Sequence, residues 1–227
     1  MKKRLVAQVS VYIVGLFILA FGAVVSINSN LGISPVNALP FAVHLASGVG
    51  RGISVTVFFA TCIGLQILLL RKEFKWINLT QILFSSIFGY FVDLSTLILG
   101  DFTIPTYAGQ LAMLAISMVL IAIGLTLYLE AKLITLPSEG LVLAIVQKVK
   151  GAKFHRVKIA MDCTLVLLAA SVTAIFLANP FAAVREGTVL SAIFIGMLIP
   201  YTRKVLTKIL TWIGVYKIIN PETPETV

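Results

Sequence analysis

The stretch Asn28-Ser29-Asn30-Leu31-Gly32-Ile33-Ser34-Pro35-Val36-Asn37-Ala38-Leu39-Pro40 is polar and broken by glycine and proline. It lies between two apolar runs, 5–27 and 53–70, each about long enough to cross a bilayer. Roughly 18–20 apolar residues are needed for a helix to span. A second break, Leu129-Glu130-Ala131-Lys132-Leu133-Ile134-Thr135-Leu136-Pro137-Ser138-Glu139-Gly140-Leu141, follows in the second half of the chain. Unpaired backbone is costly in hydrocarbon, so an interrupted apolar segment persists only where protein or a watery cavity surrounds it. A matched pair of such breaks, one in each half, points to a transporter binding site.

Working outward from the first break, residues 36–46 read as a short helix. Ser34 stands where an N-cap would, and Pro35 suits the first helical position, where a missing N–H costs nothing. At ~1.5 Å per residue such a piece covers only about half of a ~30 Å hydrocarbon core. Residues 53–70, 77–99, 111–129 and 159–177 read as further spans. A sixth opens at Glu186-Gly187-Thr188 and is expected to end at Pro200. Residues 137–147 form a second half-length helix. Residues 205–219 alternate Lys with apolar side chains, as an interfacial helix does, and 220–227 form a polar tail.

A shift of 102 places Gly22 on Gly124, Leu31 on Leu133, Pro35 on Pro137, Leu39 on Leu141 and Val55 on Val157. A shift of 107 then places Gly89 on Gly196. The chain therefore reads as a duplication: a first repeat over 1–109, a second over 110–204, and the interfacial helix and tail over 205–227. With both half-helices re-entrant there are six spans, and sixteen of the eighteen Lys and Arg fall on the side of the termini, leaving only Arg51 and Arg185 opposite. The positive-inside rule makes that side cytoplasmic. An odd number of spans per repeat inverts one repeat relative to the other. The expected fold is an all-α polytopic membrane protein, with six transmembrane helices, two re-entrant half-helices in two inverted repeats, and a C-terminal interfacial helix.

Composition supports this class: 59% of the 227 residues are hydrophobic and 12% charged, against about 25% charged in soluble domains. The net charge of +9 reflects the cytoplasmic bias of Lys and Arg rather than nucleic acid. Met1-Lys2-Lys3-Arg4 and the run after it read as an uncleaved first helix. Cys62 and Cys163 fall within apolar spans and read as core residues. No metal-ligand cluster, cofactor motif or nucleophile–base pair is visible, so neither an enzyme nor a cofactor is expected.

Two helix N-termini near the midplane would each present free N–H groups and roughly half a positive charge. The candidate substrate-binding residues are therefore Asn28, Asn30, Ser34, Pro35 and Asn37 at the first, and Pro137, Ser138 and Glu139 at the second. Glu139 is either a carboxylate that stabilises its helix or a group that binds a proton or cation. Asp93 and Asp162 lie inside spans, where a charge costs several kcal/mol and acids are candidates for function by default. Asp162 has a structural alternative, an ion pair with Lys158 one turn earlier. Glu186 is a third candidate for ion coupling, with helix capping as its alternative.

Leu31-Gly32-Ile33-Ser34-Pro35, Leu136-Pro137-Ser138-Glu139-Gly140 followed by Asp162, and Glu186-Gly187-Thr188 with Gly196 resemble the YczE/YitT-type bacterial integral membrane proteins. The resemblance covers nearly the whole chain and implies a duplicated, multi-pass domain in a bacterial plasma membrane, though members are usually described with fewer than six spans. YitT-like members carry a soluble C-terminal domain that is lacking here, which sets the chain closer to the YczE side. The family is largely uncharacterised and supplies no substrate. The leading expectation is a small-solute transporter or channel, open to proton coupling. A substrate-capture subunit of a larger complex and a non-transporting membrane regulator are the alternatives. The expected partners are the lipid bilayer and a small solute of unknown identity, with homo-oligomerisation left open.

Overall fold

The computed structural model describes residues 2–219 and is helical nearly throughout. The polar tail expected at 220–227 lies outside the described residues. In chain order the helices are α1 (Lys2–Asn28), α2 (Pro35–Ser47), α3 (Arg51–Leu70), α4 (Gln81–Leu99), α5 (Tyr107–Glu130), α6 (Pro137–Lys148), α7 (Phe154–Leu177), α8 (Glu186–Trp212) and α9 (Val215–Ile219), with two 3₁₀ turns between α3 and α4. Six of them, α1, α3, α4, α5, α7 and α8, are long and apolar enough to cross a membrane. α2 and α6, with 13 and 12 residues, reach only about 20 Å each.

Two boundaries differ most from the sequence expectation. α8 does not stop at Pro200 but continues through it to Trp212. A proline inside an apolar helix is tolerated when neighbouring hydroxyls re-satisfy the disturbed turn. Pro200 leaves the Gly196 carbonyl without its helical donor. The turn just beyond is secured by the Thr202 hydroxyl, which reaches the carbonyls of Leu198 and Ile199 at 3.2 and 3.0 Å and shares a 2.8 Å hydrogen bond with Thr126 on α5. The Lys-rich segment expected as a separate helix from residue 205 is thus first the last third of α8. A turn at Gly214 (φ 75°) then leads into α9. The second difference is that α7 begins at Phe154 rather than at 159, which draws Lys158 out of the basic turn and into a helix.

α1 and α5 form the central seam and run antiparallel: Gly15 lies against Tyr128, and Gly22 against Ile121. Between apolar helices in lipid there is little hydrophobic drive, so close packing of small residues must supply the attraction. A Cβ on Gly22 would come within 2.9 Å of the Ile121 amide nitrogen, and one on Gly124 would strike the backbone of Leu19 and Gly15. Tyr12, Leu16, Leu19, Ile121, Leu125 and Tyr128 fill the seam.

The remaining helices pack around it in matched pairs. α4 lies on α1 as α8 lies on α5, α2 packs on α7 as α6 packs on α3, and α2 meets α8 as α6 meets α4. One pair breaks the pattern. α7 packs along α8, whereas α3 and α4 have no comparable interface and meet through Gln66 and Gln81. α4 is accordingly the least covered of the six, with Tyr90 and Leu97 74% and 82% exposed.

Gly124→Leu should separate α1 from α5 and destabilise the protein by about 2 kcal/mol or more, the range for overpacking a tight contact. Gly64→Ala, where an added Cβ meets nothing within 4 Å, should be nearly neutral. Thermal unfolding of both variants in detergent measures the difference.

Candidate functional site

Beyond local turn bonds, such as those from the Asn30 amide to the Ile27 carbonyl and from the Lys132 amide to the Leu129 carbonyl, the backbone at each break is held by the opposite half of the chain. At the first, Asn30 turns left-handed (φ 58°) and its carbonyl accepts from Arg185 Nη1 at 2.7 Å. The Leu31 carbonyl accepts from the Gly187 amide at 2.8 Å. The Ile33 amide donates to Thr188 Oγ1 at 3.1 Å. At the second break Lys132, equivalent to Asn30 in the 102-residue register, is also left-handed (φ 54°). Gln8 Nε2 donates to the Ala131 carbonyl at 3.0 Å, and the Tyr12 hydroxyl to the Ile134 carbonyl at 2.7 Å. Gln66 Nε2 donates to the Pro137 carbonyl at 3.0 Å, while Gln66 and Gln81 exchange amide hydrogen bonds of 3.1 and 3.2 Å.

So positioned, the N-termini of α2 and α6 border one cavity of about 70 Å³, lined by Ser34, Pro35, Val36 and Asn37 from the first and Leu136, Ser138 and Glu139 from the second. α7 contributes Lys158 and Asp162, and Phe59, Phe88 and Ile195 complete much of the apolar wall. Ser34 precedes α2 without a side-chain capping bond, so the hydroxyl expected to cap the helix is left for other partners.

The charges are buried together: Glu139 is 5% exposed, Lys158 4% and Asp162 1%. Lys158 Nζ stands 2.7 Å from Asp162 Oδ1 and 3.5 Å from Glu139 Oε1. Ser138 Oγ donates to Glu139 Oε2 at 2.6 Å. Two carboxylates share one ammonium, so with all three ionised the cluster carries one excess negative charge. The two helix N-termini, each worth roughly half a positive charge, offset it. Two further buried hydroxyls stand nearby: that of Ser191 has no hydrogen-bond partner among the described residues, and that of Tyr128 lies beside the Glu139 side chain and the Leu136 backbone. Each stands one helical turn from a cavity-lining residue, Leu125 on α5 and Ile195 on α8.

Of the residues singled out in the sequence, Ser34, Pro35, Asn37, Ser138, Glu139 and Asp162 meet at this cavity, and Pro137 takes part through its carbonyl. The others lie elsewhere. Asn28 donates to the Gly100 carbonyl at 3.0 Å, and Asn30 acts through its backbone. Asp93 is exposed on α4, and Glu186 is exposed in the first turn of α8. Sequence reasoning passed over Gln66, Gln81 and the burial of Lys158. A signal existed for the first: Gln66 is the one amide side chain in the apolar run 53–70.

The six apolar helices around a buried charged cluster make this an all-α integral membrane protein. The chain belongs to a family of unknown function, DUF6198, whose model matches residues 6–204. It is 29% identical over 203 residues to the uncharacterized membrane protein YczE of Bacillus subtilis (strain 168), covering 89% of this chain and 88% of that protein. No solved structure matches it.

Lys158→Met should leave two carboxylates buried against apolar walls and destabilise the fold by about 3–5 kcal/mol. Adding Asp162→Leu should recover most of that loss, as a double-mutant cycle of unfolding in detergent reads directly. Gln66→Leu strands the Gln81 amide and the Pro137 carbonyl and should cost about 1–3 kcal/mol in the same assay.

Proposed function

We propose that this protein is a secondary transporter of a small solute, with its site at the cavity between α2 and α6 and a proton or small cation coupled through Glu139 and Asp162. In this reading α2 and α6 are re-entrant half-helices of two inverted repeats. The antiparallel α1–α5 seam, the matched pairs of helix contacts and the left-handed residue at the same register of each break support that geometry. The basic end, where α1 starts and α8 finishes, then faces the cytoplasm under the positive-inside rule.

The observation that carries the reading is the burial of Glu139, Lys158 and Asp162 beside a cavity bordered by two helix N-termini. A structural ion pair needs one acid and one base; here a second acid is added that has only a share of Lys158, the Ser138 hydroxyl and the helix dipoles to offset it. If the repeats rock so that the α2 terminus moves away from the cluster, part of the compensating positive charge goes with it. The cluster is then left short of positive charge, and a proton or cation restores the balance. Binding would thus depend on conformation, which coupling requires. A volume of about 70 Å³ suits an ion or a few waters, so an organic solute would enter only after the halves move apart. The Ser191 hydroxyl, unpartnered among the described residues, is a ready donor for such an occupant.

Currents recorded from proteoliposomes on a solid-supported membrane test the reading, with jumps of pH, of Na⁺, and of a panel of small cations, amino acids and carboxylates. The wild type should respond to at least one jump. Glu139→Gln and Asp162→Asn should lower the peak current about tenfold or more, while Asp93→Asn and Glu186→Gln should leave it unchanged. Equal currents in Glu139→Gln, Asp162→Asn and the wild type would remove the coupling role. Silence to every jump would remove the transport reading.

A further inference from the structure

A second, larger concavity lies outside the charged cavity, between α3, α6 and α7, with a volume of about 810 Å³. Its walls repeat at helical spacing: Phe58, Thr61 and Leu65 from α3, Leu141 and Ile145 from α6 with Val149 just past its end, and Ala160, Thr164 and Leu168 from α7. Thr61, Leu65, Ala160, Thr164 and Leu168 are exposed, so the groove opens sideways on the apolar belt of the bundle. At its basic end the lining changes character. Lys150, Lys153 and Arg156 stand at the mouth, and no acidic residue lines the groove.

What sets these three bases apart is that they gather at the mouth of one groove; like most bases of the chain they are outside the ion pairs. Lys148 pairs with Glu73 at 2.6 Å, Lys158 with Asp162 at 2.7 Å, and Arg203 with Glu130 at 2.6 Å. No ion pair among the described residues involves Lys150, Lys153 or Arg156. Three cations without anions stand over a long apolar slot that faces the bilayer. Apolar walls below a basic rim match one kind of molecule, an acyl chain joined to a negatively charged phosphate.

We infer that the α3–α6–α7 groove is a binding site for an anionic phospholipid, its phosphate held by Lys150, Lys153 and Arg156 and an acyl chain laid along Leu65, Ile145, Ala160 and Thr164. The site is independent of the transport reading, and its test needs no flux. It has a structural consequence for the charged cavity, because Leu141 of the groove wall lies half a turn beyond Glu139 on α6. A lipid in the groove braces the outer side of the helix whose inner end carries that carboxylate.

The full chain, purified in mild detergent, is mixed with equal amounts of phosphatidylglycerol and phosphatidylcholine and its bound lipids are counted by native mass spectrometry. The wild type should retain phosphatidylglycerol in preference to phosphatidylcholine. The triple change Lys150→Gln, Lys153→Gln, Arg156→Gln should lower that preference about tenfold. Ala160→Phe, which fills the slot and keeps every charge, should lower phosphatidylglycerol retention as well. Lys72→Gln with Lys75→Gln removes charge from the same end but outside the groove and should change nothing. Water-soluble glycerol phosphate in excess should not displace the lipid. Equal retention of the two lipids would overturn the proposal. So would an equal loss in the Lys72/Lys75 variant, which reports diffuse charge, full retention in Ala160→Phe, or displacement by glycerol phosphate, which reports a phosphate site without a chain.

Discussion

A helical chain that breaks among apolar helices must find hydrogen-bond partners for its freed peptide groups, and the structure depends on how the two breaks are closed. Neither is closed by its own half alone. The 29–34 segment is held by Arg185, Gly187 and Thr188 at the start of α8. The 131–137 segment is held by Gln8 and Tyr12 of α1 and by Gln66 of α3. An unsatisfied peptide group in such surroundings costs several kcal/mol. Each half is therefore needed to complete the fold of the other, which ties the two together more firmly than apolar contact does in lipid. The 107-residue register adds a detail: it sets Gln81 on Thr188, and both residues support the start of a short helix, α6 and α2 respectively.

That mutual closure fixes where α2 and α6 begin, and so where the charges gather. Lys158 is buried because α7 starts early enough to carry it inward, where Asp162 and Glu139 meet it. Replacing a buried ion pair with apolar residues is often neutral or stabilising, so such a pair is weak evidence that stability alone is served. An odd number of charges beside a cavity is weaker still as a structural device. The two halves are not equivalent here: α6 brings Glu139 in its first turn, and α2 brings no acid. The difference extends to the packing, since α7 and α8 are closed against each other while α3 and α4 meet only near one end.

Much of this was legible in the sequence because the signals are local. Apolar runs of spanning length, and Pro35 and Pro137 at helix starts, each follow from a few neighbouring residues and the thickness of a bilayer. Six of the flagged side chains do converge on one cavity. The boundaries were less legible. Pro200 reads as a helix end because proline lacks an N–H, but Thr202 and its contact with Thr126 stabilise the turn, and those partners come from other residues of the fold. Asp93 and Glu186 carry the same intramembrane or helix-start signature as Asp162, and only their exposure separates them.

The sequence by itself determined the class of protein, the number of long apolar helices and the two places where the chain must break, because hydrophobic length and proline chemistry act within a single segment. Tertiary structure alone decided which groups close those breaks, that Lys158 is shared between Asp162 and Glu139, and that Gln66 and Gln81 support the start of α6. These depend on distances between residues on different helices, or on the depth and facing of a side chain, and a one-dimensional pattern carries neither. The Asn28–Pro40 stretch shows the division: its composition announces a break, and the second half of the chain decides what that break faces.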